Sequence, residues 1–158
     1  MILKSEQLSV YIQNELRNLT ELMRLAEQRL ASAQRQPQES SAFIESAALH
    51  LQSFYTAVEQ IFTRIADNIN GMMPDSETWH VDLLRQMIYE IPGTRPPILR
   101  KETHDLLDEL RAFRHRVRNL YTYQLNPDRV KELVKGLSQT YNSLSVDLMG
   151  FSSFLSTL

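Results

Sequence analysis

The chain has 158 residues, a formal net charge of −2 and no cysteine. Its hydrophobic content of 42% and charged content of 23% are typical of a globular protein that can bury a core. The lack of cysteine excludes disulfides, thiolate metal ligands and a cysteine nucleophile. No apolar run approaches the roughly 18 residues of a membrane span, and the N-terminus has no secretory pattern. We therefore expect a cytoplasmic protein without a membrane segment.

Two long amphipathic helices are predicted in the first half of the chain, over residues 5–33 and 41–69. Their apolar residues recur at alternating intervals of three and four, which is the heptad pattern of packed helices. The first helix carries Ile12, Leu16, Leu19, Met23, Ala26 and Leu30, and the second carries Ile44, Ala47, Leu51, Phe54, Val58 and Ile61. The polar segment between them contains Pro37 and predicts a short turn, so the two helices should form an antiparallel hairpin.

The second half of the chain contains the signals for three further helices. A short helix is predicted over residues 76–91, and the proline-rich segment 92–97 cannot be helical. A fourth helix is predicted over residues 101–123, and the pair Asn126-Pro127 is typical of the start of a fifth. No segment alternates with a period of two. The sequence therefore predicts an all-α antiparallel bundle of four long helices and one short helix, in a single domain over residues 1–158.

The segment from Arg111 to Arg118 holds four arginines and one histidine, with no acidic residue among them. On a helical wheel, one broad face carries Arg111, Arg114, His115, Arg118 and Tyr121, whereas Arg116 points away. Like charges at these spacings repel one another within a helix. Such a face is typical of a site for phosphate, nucleic acid or an acidic partner. The competing interpretation is a solvated or salt-bridged face of a helix.

The stretch from Arg114 to Tyr121 resembles the R-x4-H-x-Y signature of the HEPN superfamily, in particular the HepT-like ribonuclease toxins. The neighbouring segments Trp79–Met87, Pro92–Pro96 and Leu125–Asp128 are also similar to a HepT-like branch. The resemblance covers roughly residues 76–135. It implies a homodimer whose motif helices face a shared cleft, and an endoribonuclease that needs neither metal nor cofactor. It also implies a minimal nucleotidyltransferase antitoxin as the partner and RNA as the substrate.

The resemblance assigns a role to each residue of the motif. Arg114 matches the family arginine that holds the scissile phosphate, with Arg111 and Arg118 as additional phosphate contacts. Tyr121 matches the family tyrosine, which lines the cleft or accepts AMP from the partner. Asn119 stands where the family has its catalytic histidine.

The asparagine at this position changes the expected chemistry. An amide has no useful basicity, so Asn119 can orient a hydroxyl or a phosphate oxygen but cannot accept its proton. Loss of a general base typically costs about 10²- to 10⁴-fold in rate. The protein is therefore a weak or inactive ribonuclease, or it uses another base. His115 is the nearest imidazole in the sequence and is the candidate.

Three functional hypotheses follow from these residues. The first is a HepT-like toxin that cleaves RNA without metal, as one half of a prokaryotic toxin–antitoxin pair. The second is a HEPN scaffold that binds the nucleotidyltransferase or RNA and cuts nothing. The third is a helical interaction module whose arginines hold an acidic partner.

Three further residues are candidates for a functional site. His80 and Asp82 lie two residues apart and therefore do not form a metal site. Arg95 either supports the basic cleft or is structural.

Overall fold

The computed structural model describes the backbone of residues 2–158, and the side chains of these residues except 2, 3 and 122. Its helices are α1 (Ile2–Arg35), α2 (Ser40–Ile65), α3 (Trp79–Gln86), α4 (Lys101–Val117) and α5 (Pro127–Leu155). Over these residues the sheet content is limited to an isolated bridge between Ile91 and Arg95. The predicted all-α bundle of four longer helices and one short helix is confirmed. None of the described helices is both long and apolar enough to cross a membrane.

Helices α1 and α2 form the predicted antiparallel hairpin, and α5 packs against both of them. The heptad positions that the sequence singles out are buried, among them Ile12, Leu19, Leu51, Phe54 and Val58, except Met23, which is partly buried. The turn begins at Gln36, whose backbone leaves the helical region, and continues through Pro37, which has no N–H to extend α1. Burial of these two apolar stripes against α5 holds the long helices together, because isolated amphipathic helices gain most of their stability from packing.

Helix α2 continues past Ile65 as a π-helical turn, Ala66–Asn70, which ends at Gly71. Gly71 has a φ of +74°, a conformation that glycine adopts without steric cost. Helix α3 is shorter than the predicted 76–91. It begins at Trp79, and the chain leaves α-helical geometry after Gln86.

Arg95 holds the loop that follows α3, and its side chain is buried. Its Nε donates to Asn70 Oδ1 at 2.8 Å, and Nη1 donates to the carbonyl oxygens of Tyr89 and Pro96 at 2.9 and 3.1 Å. Its Nη2 donates to the carbonyl oxygen of Gln86 at 3.1 Å. Burial lowers the pKa of the Arg95 guanidinium. These contacts assign Arg95 a structural role, since its donors face the loop rather than a basic cleft.

The start of α4 is tied to α5 by Arg100. The backbone N–H and the Nε of Arg100 both donate to the carboxylate of Asp147, at 3.1 and 2.7 Å, and Asp147 is buried. Beside this ion pair, the hydroxyl oxygens of Thr103 and Ser143 lie 2.5 Å apart. The N-terminus of α4 is therefore fixed against the middle of α5.

The end of α4 differs from the prediction, because α-helical geometry stops at Val117 rather than near residue 123. From Asn119 onward the N–H groups bond back three residues instead of four: Asn119 donates to the carbonyl of Arg116 at 3.1 Å, and Leu120 to that of Val117 at 3.2 Å. The Asn119 side chain adds a bond from Nδ2 to the carbonyl oxygen of His115 at 3.1 Å. A side chain that bonds the last carbonyls competes with continuation of the helix.

Replacing Asn126 tests the cap at the start of α5. Asn126 Oδ1 accepts from the backbone N–H groups of Asp128 and Arg129 at 3.0 and 3.3 Å. We expect Asn126→Ala to lower the free energy of unfolding by about 1 kcal/mol, measured by urea denaturation. Asn126→Asp keeps an acceptor oxygen and should stay near the wild-type value. Equal destabilisation by both variants would contradict the acceptor oxygen as the stabilising group of the cap.

Candidate functional site

Arg114 is buried, contrary to the predicted position on an exposed basic face. Its side chain is 3% exposed, and Nη2 donates to Glu59 Oε2 at 2.7 Å. Nη1 donates to Thr56 Oγ1 at 3.2 Å, and the guanidinium carbon lies 4.8 Å from the centre of the Tyr55 ring. The wheel placed Arg114 beside exposed arginines because it could not include α2, which supplies the carboxylate, the hydroxyl and the ring. The phosphate-binding role of Arg114 stays a prediction, and in this conformation Glu59 occupies its guanidinium.

His80 reaches the same carboxylate from α3. Its Nδ1 lies 2.7 Å from Glu59 Oε2 and 3.2 Å from Nη2 of Arg114. A 2.7 Å approach to a carboxylate oxygen places the proton on Nδ1, so His80 donates, and two donors share one oxygen. The side chain of His80 is 31% exposed, and its ring packs 3.6 Å from that of Trp79. The imidazole that contacts the motif arginine is therefore that of His80, and the role of His115 as a base stays a prediction.

This cluster of Tyr55, Glu59, His80 and Arg114 joins three helices. Burial is the main cause that raises the pKa of Tyr55, and the Glu59 carboxylate raises it further, so the phenol stays protonated. A buried carboxylate is stable only if it is paired and hydrogen-bonded. Here the guanidinium of Arg114 and the imidazole of His80 both donate hydrogen bonds to the Glu59 carboxylate. Its geometry fixes α4 in rotation against α2 and α3.

The other basic residues of the segment are divided between two environments. The Nε of Arg111 donates to Asp108 Oδ1 at 2.7 Å, one turn earlier on α4, so Arg111 fits the salt-bridged interpretation. His115, Arg116 and Arg118 are exposed, and their side chains have no ion pair within the part of the chain that the structure describes. The exposed basic surface is therefore the end of α4, not its whole length. Positive side chains at a helix C-terminus also interact favourably with the helix dipole.

Tyr121 lies beyond the end of α4 rather than on its basic face. Its ring stacks on that of Tyr123, with centroids 5.7 Å apart and planes inclined by 3°. The two residues are 70% and 80% exposed. A groove of about 240 Å³ next to Tyr121 is lined by Leu49 and Leu120 among others. Asn119 is exposed, and its amide N–H₂ donates to a carbonyl oxygen at the helix end. Its amide oxygen accepts no hydrogen bond from the described residues.

Sequence reasoning missed Glu59 and His80 as site residues. Glu59 is spaced four residues after Tyr55 and three before Phe62, both of which are fully buried, so it falls on the core stripe of α2. A carboxylate on an apolar stripe indicates a buried partner of opposite charge. The position of Glu59 on this stripe was therefore the sequence signal for a buried ion pair. Within the described residues, no three His, Asp or Glu side chains are grouped as metal ligands.

Replacing Arg114 tests the energetic role of the buried pair. We expect Arg114→Met to lower the free energy of unfolding by about 3 kcal/mol in urea denaturation. The reason is that the buried charge of Glu59 then keeps only the hydrogen bond from His80. The double variant with Glu59→Gln should recover part of that loss. Arg111→Met is the matched control, and should cost less than about 1 kcal/mol because Asp108 is half-exposed. Equal losses in the two single variants would contradict a buried, energetically important pair.

Comparison with known proteins identifies relatives of this chain. Three proteins called DNA ligase, from strains B100, 8004 and ATCC 33913 of Xanthomonas campestris pv. campestris, are each 29% identical over 107 residues. The match covers 66% of this chain but 13% of each ligase, so the chain spans only a small part of the curated relatives it matches. No solved structure matches the chain. A family model described as HepT-like protein matches residues 46–155, from the middle of α2 to the end of α5. The resemblance seen around Arg114–Tyr121 is thus confirmed, and the chain belongs to the HepT-like protein family of the HEPN superfamily.

Proposed function

We propose that this protein is the HepT-like toxin of a prokaryotic HEPN/nucleotidyltransferase pair, and that it binds and cleaves RNA without a metal ion. The observation that carries the proposal is the segment of residues 115–123. Here the exposed side chains of Arg116 and Arg118, which have no ion pair among the described residues, precede a stacked pair of exposed tyrosines. Family membership supplies the ribonuclease type of fold.

This segment combines the two kinds of contact that single-stranded RNA needs. Arg118 and Arg116 form no ion pair with a carboxylate of the described residues, so none of these competes with a phosphate for their charge. The parallel rings of Tyr121 and Tyr123 present flat apolar faces on which unpaired bases stack. Arginine beside an exposed aromatic pair favours an unfolded RNA strand over an acidic protein surface.

The roles within this surface differ from those implied by the motif. Arg118 is the principal phosphate contact, because Arg114 is held by Glu59 and supports α4 from the inside. Asn119 orients a ribose hydroxyl or a phosphate oxygen through its exposed amide. Tyr121 has an accessible phenol, which is what an AMP acceptor requires. In a homodimer, two such surfaces face one another and the strand runs between them.

A HEPN scaffold that binds RNA or the nucleotidyltransferase without cutting is the second candidate. Two observations favour it: Asn119 has no basicity, and the guanidinium of Arg114 is already bonded to a carboxylate. The similarity to a segment of proteins called DNA ligase supports an association with nucleic-acid enzymes under either candidate, without distinguishing them.

Substitutions in the exposed segment test RNA binding. Arg118→Ala should weaken binding of a single-stranded RNA and reduce the dependence of log Kd on log salt by about one unit, because one phosphate contact is lost. Tyr121→Ala should weaken binding by about 1–3 kcal/mol with little change in that slope, because stacking is lost instead of charge. Fluorescence anisotropy over a salt series measures both quantities.

The matched control for Arg118 is Arg17→Ala, which removes an exposed arginine from α1. It should leave both the affinity and the salt slope unchanged. If Arg17→Ala and Arg118→Ala weaken binding equally, the attraction comes from overall charge and the segment is not the binding site. Cleavage of the bound RNA in EDTA then distinguishes the ribonuclease from the scaffold.

A further inference from the structure

We infer that His80, on α3, is the general base for RNA cleavage and takes the place of the imidazole that position 119 lacks. The inference rests on the proposed ribonuclease function and names the residue that would make it work. It depends on three features of the structure: the orientation of the His80 ring, the exposure of its second nitrogen, and its position beside α4.

The Glu59 carboxylate fixes the orientation of the His80 ring. Nδ1 lies 2.7 Å from Glu59 Oε2, which places the ring proton on Nδ1. In the neutral imidazole the lone pair is then on Nε2, the nitrogen that can accept a proton. A carboxylate that holds a histidine by one nitrogen and leaves the other as the base is the arrangement found in hydrolytic triads.

The second nitrogen of His80 is available to a substrate. The side chain is 31% exposed, and Nε2 has no hydrogen-bond partner among the described residues. The ring is held by Trp79 on one side, with centroids 3.6 Å apart, so that it does not rotate freely. By contrast, His115 is exposed, and no carboxylate of the described residues bonds to its ring. Among the two histidines near the motif, His80 is the one that the structure prepares as a base.

His80 is also linked to α4, the helix that carries the basic residues, through Arg114. Its Nδ1 is 3.2 Å from Nη2 of Arg114, and Arg118 follows Arg114 by one helical turn. Residues at this spacing have Cβ atoms about 5–6 Å apart. The proposed site therefore takes the phosphate on the exposed guanidinium of Arg118 and the 2′-hydroxyl on Nε2 of His80, while the buried Arg114–Glu59 pair links α4 to the His80 ring.

The step balances without a metal ion or a redox partner. His80 Nε2 takes the proton of a ribose 2′-hydroxyl, and the 2′-oxygen forms a bond to phosphorus. The bond from phosphorus to the 5′-oxygen breaks, and that oxygen leaves with a proton from water. The products are a 2′,3′-cyclic phosphate and a 5′-hydroxyl, and the imidazolium returns its proton to the hydroxide that remains.

The test compares the full chain with His80→Gln and His80→Ala, in EDTA, on a single-stranded RNA. His80→Gln retains an N–H donor for Glu59, so it should fold and bind RNA like the wild type but cleave about 10²- to 10⁴-fold more slowly. The matched control is His104→Gln, which replaces another histidine whose Nδ1 lies 2.9 Å from a carboxylate, that of Asp105. This control should cleave at the wild-type rate.

Imidazole in the buffer separates a chemical role from a structural one. It should restore cleavage by His80→Ala in proportion to the concentration of free base, whereas a residue that only supports the fold is not rescued in this way. Wild-type cleavage by His80→Gln would overturn the inference, and so would a failure of rescue in His80→Ala that still binds RNA. Wild-type protein that binds RNA but never cleaves it would overturn His80 as a base and leave the scaffold. Absence of RNA binding would overturn the proposed function itself.

Discussion

One oxygen atom, Oε2 of Glu59, is the point on which three helices converge. It accepts from Arg114 on α4 and from His80 on α3, while Glu59 itself belongs to the core-facing stripe of α2. A buried charge cannot be left unpaired without a cost of several kcal/mol, so the three elements are constrained together. Arg114 points inward on the last full turn of α4, and Arg118 follows it just after the α-helix ends at Val117. The exposed basic and aromatic residues thus begin where the packed part of α4 ends.

The helical architecture was predictable because its signal is local. The three- and four-residue spacing of positions such as Leu19, Leu51 and Val58 sets the buried face of each helix, and these residues are fully buried. Asn126 before Pro127 likewise predicts the start of α5, and the helix begins at Pro127 with Asn126 as its N-cap. This start was predictable because the cap depends only on residues that are adjacent in the sequence. The end of α4 was not predictable in this way, since the basic run continues the helical pattern beyond Val117.

The environment of each arginine was not predictable, because it depends on distant residues. Arg114 and Glu59 are 55 residues apart in the chain, and no periodicity connects them. Arg111, Arg114 and Arg118 look equivalent on a helical wheel. In the fold, one is paired along its own helix, one is buried and one is exposed. Residue type at helical spacing therefore identifies a candidate surface, and tertiary partners decide which of its members are available to a ligand.

The loop held by Arg95 has a consequence for the dynamics of the site. Helix α3 has only eight residues and is too short to be stable on its own. Arg95 joins Asn70, before α3, to the carbonyls of Gln86 and Tyr89, at its end, and so closes the segment on itself. Short elements of this kind open locally at a lower free energy than global unfolding. Opening of this segment would remove His80 from Glu59 while the long helices stay packed, so Arg95, outside the site, acts together with the buried Leu83 and Leu84 to keep the site assembled.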